Sequence, residues 1–140
     1  MDTARRFADL SSARRLHVGA IIVKDDRIIS IGYNGMPAGW DNNCEDESVE
    51  LYSGYEGAIH RTVLKTKPEV LHAETNAIAK LARSTESGLD ATMFITHAPC
   101  LDCAKLIFQS GIRSVFYAED YRSDAGVQFL TKSNVDIKKV

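Results

Sequence analysis

The chain has 140 residues, 44% of them apolar and 26% charged, which is the balance of a globular protein with length for one core. A net charge of -2 weighs against a large nucleic-acid footprint, which needs a basic face, and no run approaches the ~18 apolar residues that cross a bilayer. The stretch MDTARRFADLSSARRLH lacks the apolar core of a signal peptide, and three cysteines do not make a disulfide framework, so the expected compartment is the cytoplasm.

Ala4, Phe7, Ala8 and Leu10 fall at helical spacing, which predicts a short helix over residues 3–10. Two β-branched runs follow, Val18–Val23 and Arg27–Tyr33, joined by Lys-Asp-Asp, the pattern of a hairpin. The Gly and Pro of YNGMPAGW mark a structured loop. Between Asp41 and Glu56 there are six acidic residues and no Lys or Arg, which reads as a solvated loop excursion, with a short helix near Ala58–Leu64 and a close at Pro68. Beyond it, Ala73, Ala77, Ile78 and Leu81 mark a helix, ATMFIT a strand, and Ala104, Ile107 and Phe108 a second helix ended by Gly111. SVFYA reads as a strand, Asp124–Thr131 as a helix and VDIKKV as a last strand.

The expected architecture is a three-layer α/β/α domain over residues 1–140. Its mixed five-stranded sheet has an antiparallel amino-terminal hairpin and parallel carboxy-terminal strands, with an excursion at about residues 41–70.

The run APCLDC places Cys100 and Cys103 where a strand gives way to a helix, with Pro99 at the expected helix start. Residues three apart share a helix face, and the positive end of a helix favours thiolates. Taken alone, the pair fits a redox couple, half of a structural zinc knuckle, or two ligands of a catalytic metal. A knuckle needs four protein ligands, and Cys44 lies in the distant acidic excursion. The run LHAETNAIAKL favours the third reading. His72 and Glu74 open the preceding helix, 28 residues before Cys100, a gap that fits the rest of that helix, a turn and a strand. If two helices flank neighbouring parallel strands, their starts meet at one sheet edge. His72, Cys100 and Cys103 then make three ligands, with zinc's fourth position left for water and Glu74 beside it as a proton carrier.

His-x-Glu with Pro-Cys-x-x-Cys is the zinc deaminase signature. The chain resembles the cytidine deaminase-like superfamily and, within it, the deoxycytidylate (dCMP) deaminase branch. The likeness runs through HVGAIIVKDDRIISIGYNGMPAG, LHAETNAI, ATMFITHAPCLDCAKLIFQSGI and SVFYAEDYRSD, with GYNGMPAG and the Asn of HAETNAI pointing to that branch. The resemblance implies that His72, Cys100 and Cys103 bind one Zn2+ and that an activated water attacks C4 of cytosine. Glu74 would shuttle protons to N3 and to the leaving amine, giving dUMP for thymidylate synthesis.

The resemblance further implies that Asn34 meets the sugar, that Ala73 offers a backbone group to the cytosine edge, and that Tyr121 and Arg122 lie near the 5′-phosphate. Members of the branch form homohexamers, activated by dCTP with Mg2+ and inhibited by dTTP. Asn34, Gly35, Asp41 and Asn43 are the expected effector contacts. His60 is isolated, which argues against a second structural zinc. The rivals are deamination of another base (cytidine, a tRNA adenosine, a riboflavin or pterin precursor) and an inactive zinc-stabilised binding module.

Overall fold

The computed structural model describes residues 1–54 and 57–140. In chain order these form α1 (Asp2–Ala8), β1 (Gly19–Lys24), β2 (Arg27–Tyr33), β3 (Glu45–Gly54), β4 (Gly57–Thr66), α2 (Ala73–Ala82), β5 (Thr92–His97), α3 (Leu101–Gln109), β6 (Ser114–Glu119), α4 (Ala125–Lys132) and β7 (Asp136–Lys139).

The hairpin forms where the sequence places it. Asp25 and Asp26 both adopt positive φ, 49° and 58°, the backbone of a two-residue turn whose twist matches its strands. β1 then receives β5 antiparallel on its other side, and β6 and β7 add in parallel, giving the order β2-β1-β5-β6-β7. This is the expected mixed five-stranded sheet.

The two helix starts reach one sheet edge by a route other than the expected one. The helices that open at residues 72 and 100 do not follow neighbouring parallel strands. The start of α2 packs beside β2 and α3 follows β5, with β1 between the two strands and antiparallel to both. Two antiparallel pairings restore one direction, so both helix starts still reach the same sheet edge.

Helices cover both faces. Gly32 faces α2: a Cβ there would stand 2.0 Å from the carbonyl oxygen of Ala73. Gly19 faces α1, where a Cβ would stand 2.0 Å from the carbonyl oxygen of Ala4. Gly32 pairs with Ala20, and Ala20 points away from Gly19, so α1 and α2 lie on opposite faces. The main core lies under α2, α3 and α4, where Ala77, Leu81, Ile107 and Leu130 pack on Ile22, Met93, Ile95 and Val115.

The excursion is mostly strand and holds no helix among the described residues. β3 and β4 pair antiparallel over their full length as a two-stranded ribbon, so residues 58–64 are strand, while Glu56 lies outside the described residues. The register supplies the reason: Asp46 stands opposite Lys65 and Glu50 opposite Arg61. The acidic run is one strand of a charge-matched pair whose basic half comes later in the chain. Β-branched Thr62 and Val63 suit that strand. A second, smaller apolar cluster of Ala13, Cys44 and Val70, with Met36 against it, lies under the ribbon's base.

Gly32→Ala forces a methyl group against the backbone of α2, and a cost of about 2–3 kcal/mol is expected from the overpacking. Urea denaturation of the zinc-loaded protein measures it, and a change under about 0.5 kcal/mol, the range of ordinary surface substitutions, would show that α2 is not seated on this glycine.

Candidate active site and metal centre

His72 is the N-cap of α2 and Cys100 the N-cap of α3. Pro99 therefore sits one residue outside the helix rather than in its first turn. Cys103 lies inside the first turn of α3, and its backbone N–H points at Cys100 Sγ, 3.5 Å away. Ligand atoms of the three residues all lie within 4.8 Å of one another. His72 Nδ1 is 3.7 Å from Cys100 Sγ and 3.4 Å from Cys103 Sγ. With Zn–S near 2.3 Å and Zn–N near 2.0–2.1 Å, a tetrahedral site requires N···S separations of about 3.6 Å. The donor set fits zinc in atom type and in spacing.

Backbone contacts hold the two helix starts in place. Asn76 Nδ2 donates to the carbonyl of Tyr33 at 2.8 Å, tying the first turn of α2 to the end of β2. Gly126, in the first turn of α4, lies so close to the Pro99 carbonyl oxygen that a Cβ there would stand 2.0 Å from it. Glycine is what lets α4 brace the turn carrying the thiols.

The charges are unequal in a useful way. Hydrogen bonds from Cys103 and His72 push the Cys100 thiol down to about 4, making it the thiolate. Cys103 is shifted up, first by its hydrogen bond to Cys100 and then by burial, and keeps its proton. His72 is raised by its bond to Cys100. Glu74, only 4% exposed, is pushed up to about 7 by burial, against smaller opposing pulls from its own backbone and His72.

The donor set borders a cleft of about 490 Å³, within the range of small-ligand sites. His72, Ala73, Glu74 and Cys100 line it, with Asn34, His97, Tyr121 and Arg122.

The profile of the cytidine and deoxycytidylate deaminase zinc-binding region matches residues 1–119. The chain belongs to that family. It is 37% identical over 131 residues to ComE operon protein 2 of Bacillus subtilis, covering 93% of this chain and 63% of that one. It is 40% identical over 131 residues to the deoxycytidylate deaminase of Enterobacteria phage T4, covering 74% of this chain and 67% of that protein. The chain thus spans about two thirds of the length of these relatives. The crystal structure of dCMP deaminase from cyanophage S-TIM5, in complex with dCMP and dUMP, superposes with a TM-score of 0.84 at 38% identity, covering 99% of this chain and 92% of that one.

Against this deaminase frame the sequence-predicted residues separate. Asn34 lines the cleft, its amide pinned by Val18 N–H donating to Oδ1 (2.8 Å) and by Nδ2 donating to the Leu16 carbonyl (2.9 Å). One amide N–H and one oxygen lone pair stay available to a ligand. Tyr121 and Arg122 also line it, the guanidinium 5.4 Å from the ring centroid.

Of the expected effector contacts, Asn34 lines the cleft and the other three do not. Gly35 pairs through its backbone with Leu71, the residue before His72. Asp41 and Asn43 sit in the turn entering β3, outside the cleft lining. Cys44 is fully buried, 3.4 Å from Ser12 Oγ, and belongs to no metal-ligating group among the described residues.

Sequence reasoning missed Arg15 and Glu45, which both line the cleft. Arg15 stood in an unremarkable arginine pair, and Glu45 in an acidic run that looked solvated. No signal in the residue types marks them, because Glu45 is held by backbone N–H groups and Arg15 differs from Arg14 only in its partners in the fold.

Coordination needs a neutral imidazole and thiolates, whereas His72 and Cys103 are both shifted toward holding protons. Zinc binding to the metal-free protein therefore releases protons, and zinc affinity is expected to rise with pH, since both raised groups must give up their protons to bind. Calorimetry in buffers of different ionisation enthalpy measures the release, and a pH-independent affinity would contradict this donor set.

Proposed function

We propose that the chain hydrolyses dCMP to dUMP and ammonia as one zinc-dependent deaminase domain in the cytoplasm, supplying dUMP for thymidylate synthesis. The observation that carries this reading is the make-up of the cleft. A zinc-type donor set with a buried carboxyl stands with two arginines, Arg15 and Arg122, that have no carboxylate partner among the described residues. A substrate that carries both a dianionic phosphate and a base matches that make-up. The dCMP-bound cyanophage relative supports the same substrate.

Bound zinc would supply the acidity that makes water a nucleophile near neutral pH. The chain's own groups do the rest. Glu74, balanced near neutrality, takes the water proton and passes protons to cytosine N3 and to the departing amine. Oxygen replaces nitrogen at C4 as the C–N bond breaks and ammonia leaves. Ala73, fully buried between His72 and Glu74, lets the ring approach and presents backbone to its edge. Asn34 meets the sugar hydroxyl, while Tyr121, Arg122 and Arg15 take the phosphate.

The same reading makes the enzyme a homohexamer, activated by dCTP with Mg2+ and inhibited by dTTP. Gly35 gives an effector at the Asn34–Asn43 loop a route to the metal, because its backbone is bonded to the residue before His72. Nucleic acid and membrane are not partners in this scheme.

Ammonia release from dCMP, CMP, dCTP, cytidine and an adenosine-containing tRNA hairpin tests the substrate. Turnover confined to the hairpin or to cytidine would overturn the dCMP reading. Glu74→Gln is expected to keep its zinc, measured by metal analysis, while losing turnover by about 10²–10⁴-fold, the range of positioned acid–base catalysis. Saturation with dCMP should be sigmoidal and become hyperbolic with dCTP, and hyperbolic curves indifferent to dCTP would remove the regulatory part.

A further inference from the structure

The base of the β3–β4 ribbon holds a buried carboxylate that the proposed chemistry does not use. Glu45 is 1% exposed, although it opens a strand whose next five residues are exposed. Burying a carboxylate is costly unless its oxygens are well supplied with donors. Here the backbone N–H of Arg14 donates to Oε1 at 3.1 Å and to Oε2 at 3.2 Å, and the backbone N–H of Arg15 donates to Oε1 at 3.3 Å. The Arg14 guanidinium stands 3.6 Å from Oε2 and also pairs with Glu47. Arg14 is thus committed to acidic groups, and Arg15 is left with its charge free.

Arg15 is held a second time, at its side chain. Its Nη1 donates to Thr66 Oγ1 at 2.8 Å, and Thr66 is the residue directly opposite Glu45 in the ribbon. A single rung of the ribbon therefore fixes Arg15 at both ends, by carboxylate at the backbone and by hydroxyl at the guanidinium. Glu45, Thr66 and Arg15 all line the cleft.

We infer that Glu45 is a positioning residue for substrate binding, which with Thr66 sets the Arg15 guanidinium where it meets the 5′-phosphate and so makes the ribbon's base part of the specificity for nucleotide over nucleoside. This rests on the phosphate reading given above. A long arginine side chain loses much rotamer freedom when it binds, and fixing it beforehand moves that cost out of the binding step.

The test compares kcat/KM for dCMP with that for deoxycytidine, using zinc-loaded full-length enzyme. In E45Q the ratio is expected to fall about ten-fold, equivalent to about 1.4 kcal/mol, through a higher KM for dCMP with kcat held within about two-fold. T66V, at a half-buried strand end, keeps the question open should E45Q fail to fold, and a fall of about three-fold is expected from loss of one hydrogen bond. On an R15A background, E45Q should lower the ratio no further, since the two substitutions remove the same contact.

Three results overturn the inference. One is an equal loss on both substrates in E45Q, another is unchanged dCMP selectivity in both single variants, and the third is an undiminished effect of E45Q on R15A. If the unmodified enzyme shows no preference for dCMP over deoxycytidine, the phosphate reading fails and takes this inference with it. The wild-type ratio therefore separates the two failures.

Discussion

The imidazole of His72 lies within 4 Å of two thiols that the chain reaches only after a helix and a strand. Most of the surrounding structure serves that approach. β1 runs antiparallel to both β2 and β5, which brings the starts of α2 and α3 to one sheet edge. Gly32 lets α2 settle onto β2, Asn76 fixes its first turn, and Gly126 lets α4 brace the turn that carries Cys100. Each of these contacts is between or onto backbone. They set where a helix begins, and a donor set of this kind tolerates only small errors in that position.

The cleft also shows why net charge says little about a binding site. Of its four acids, Asp120 is paired with Lys139, Glu45 is engaged by backbone amides and Arg14, burial pushes the Glu74 carboxyl up to about 7, and Glu119 has no ion pair among the described residues. The two arginines of the lining have no such commitments among the described residues. A chain of net charge -2 thereby presents its free positive charge where an anionic group would enter. Local pairing, not composition, decides the sign of the field that a ligand meets.

The metal-site residues were legible in the sequence because their pattern is compact: each potential ligand stands at or just inside a helix start, within a short stretch of chain. The strands of the main sheet were legible from β-branched runs. The ribbon was not, because its order comes from pairing an acidic segment with a basic one further along, and neither half alternates clearly enough alone. Glu45 was hidden for a related reason. Its partners are backbone N–H groups at residues 14 and 15, and an amide donor leaves no mark on the residue types around it. Arg15 was hidden with it, since nothing distinguishes it from Arg14 until their separate partners are seen.

The ribbon has two ends with different obligations. Its first rung, Glu45 opposite Thr66, touches the chain segment that walls the cleft, whereas the three rungs from Val49 to Leu51, opposite Thr62 to His60, are exposed. Adding or removing paired residues beyond the first rungs would leave both helix starts and the cleft wall where they are. Length change in this protein is therefore cheapest at the outer ribbon, so an insertion tag or a grafted recognition loop belongs there.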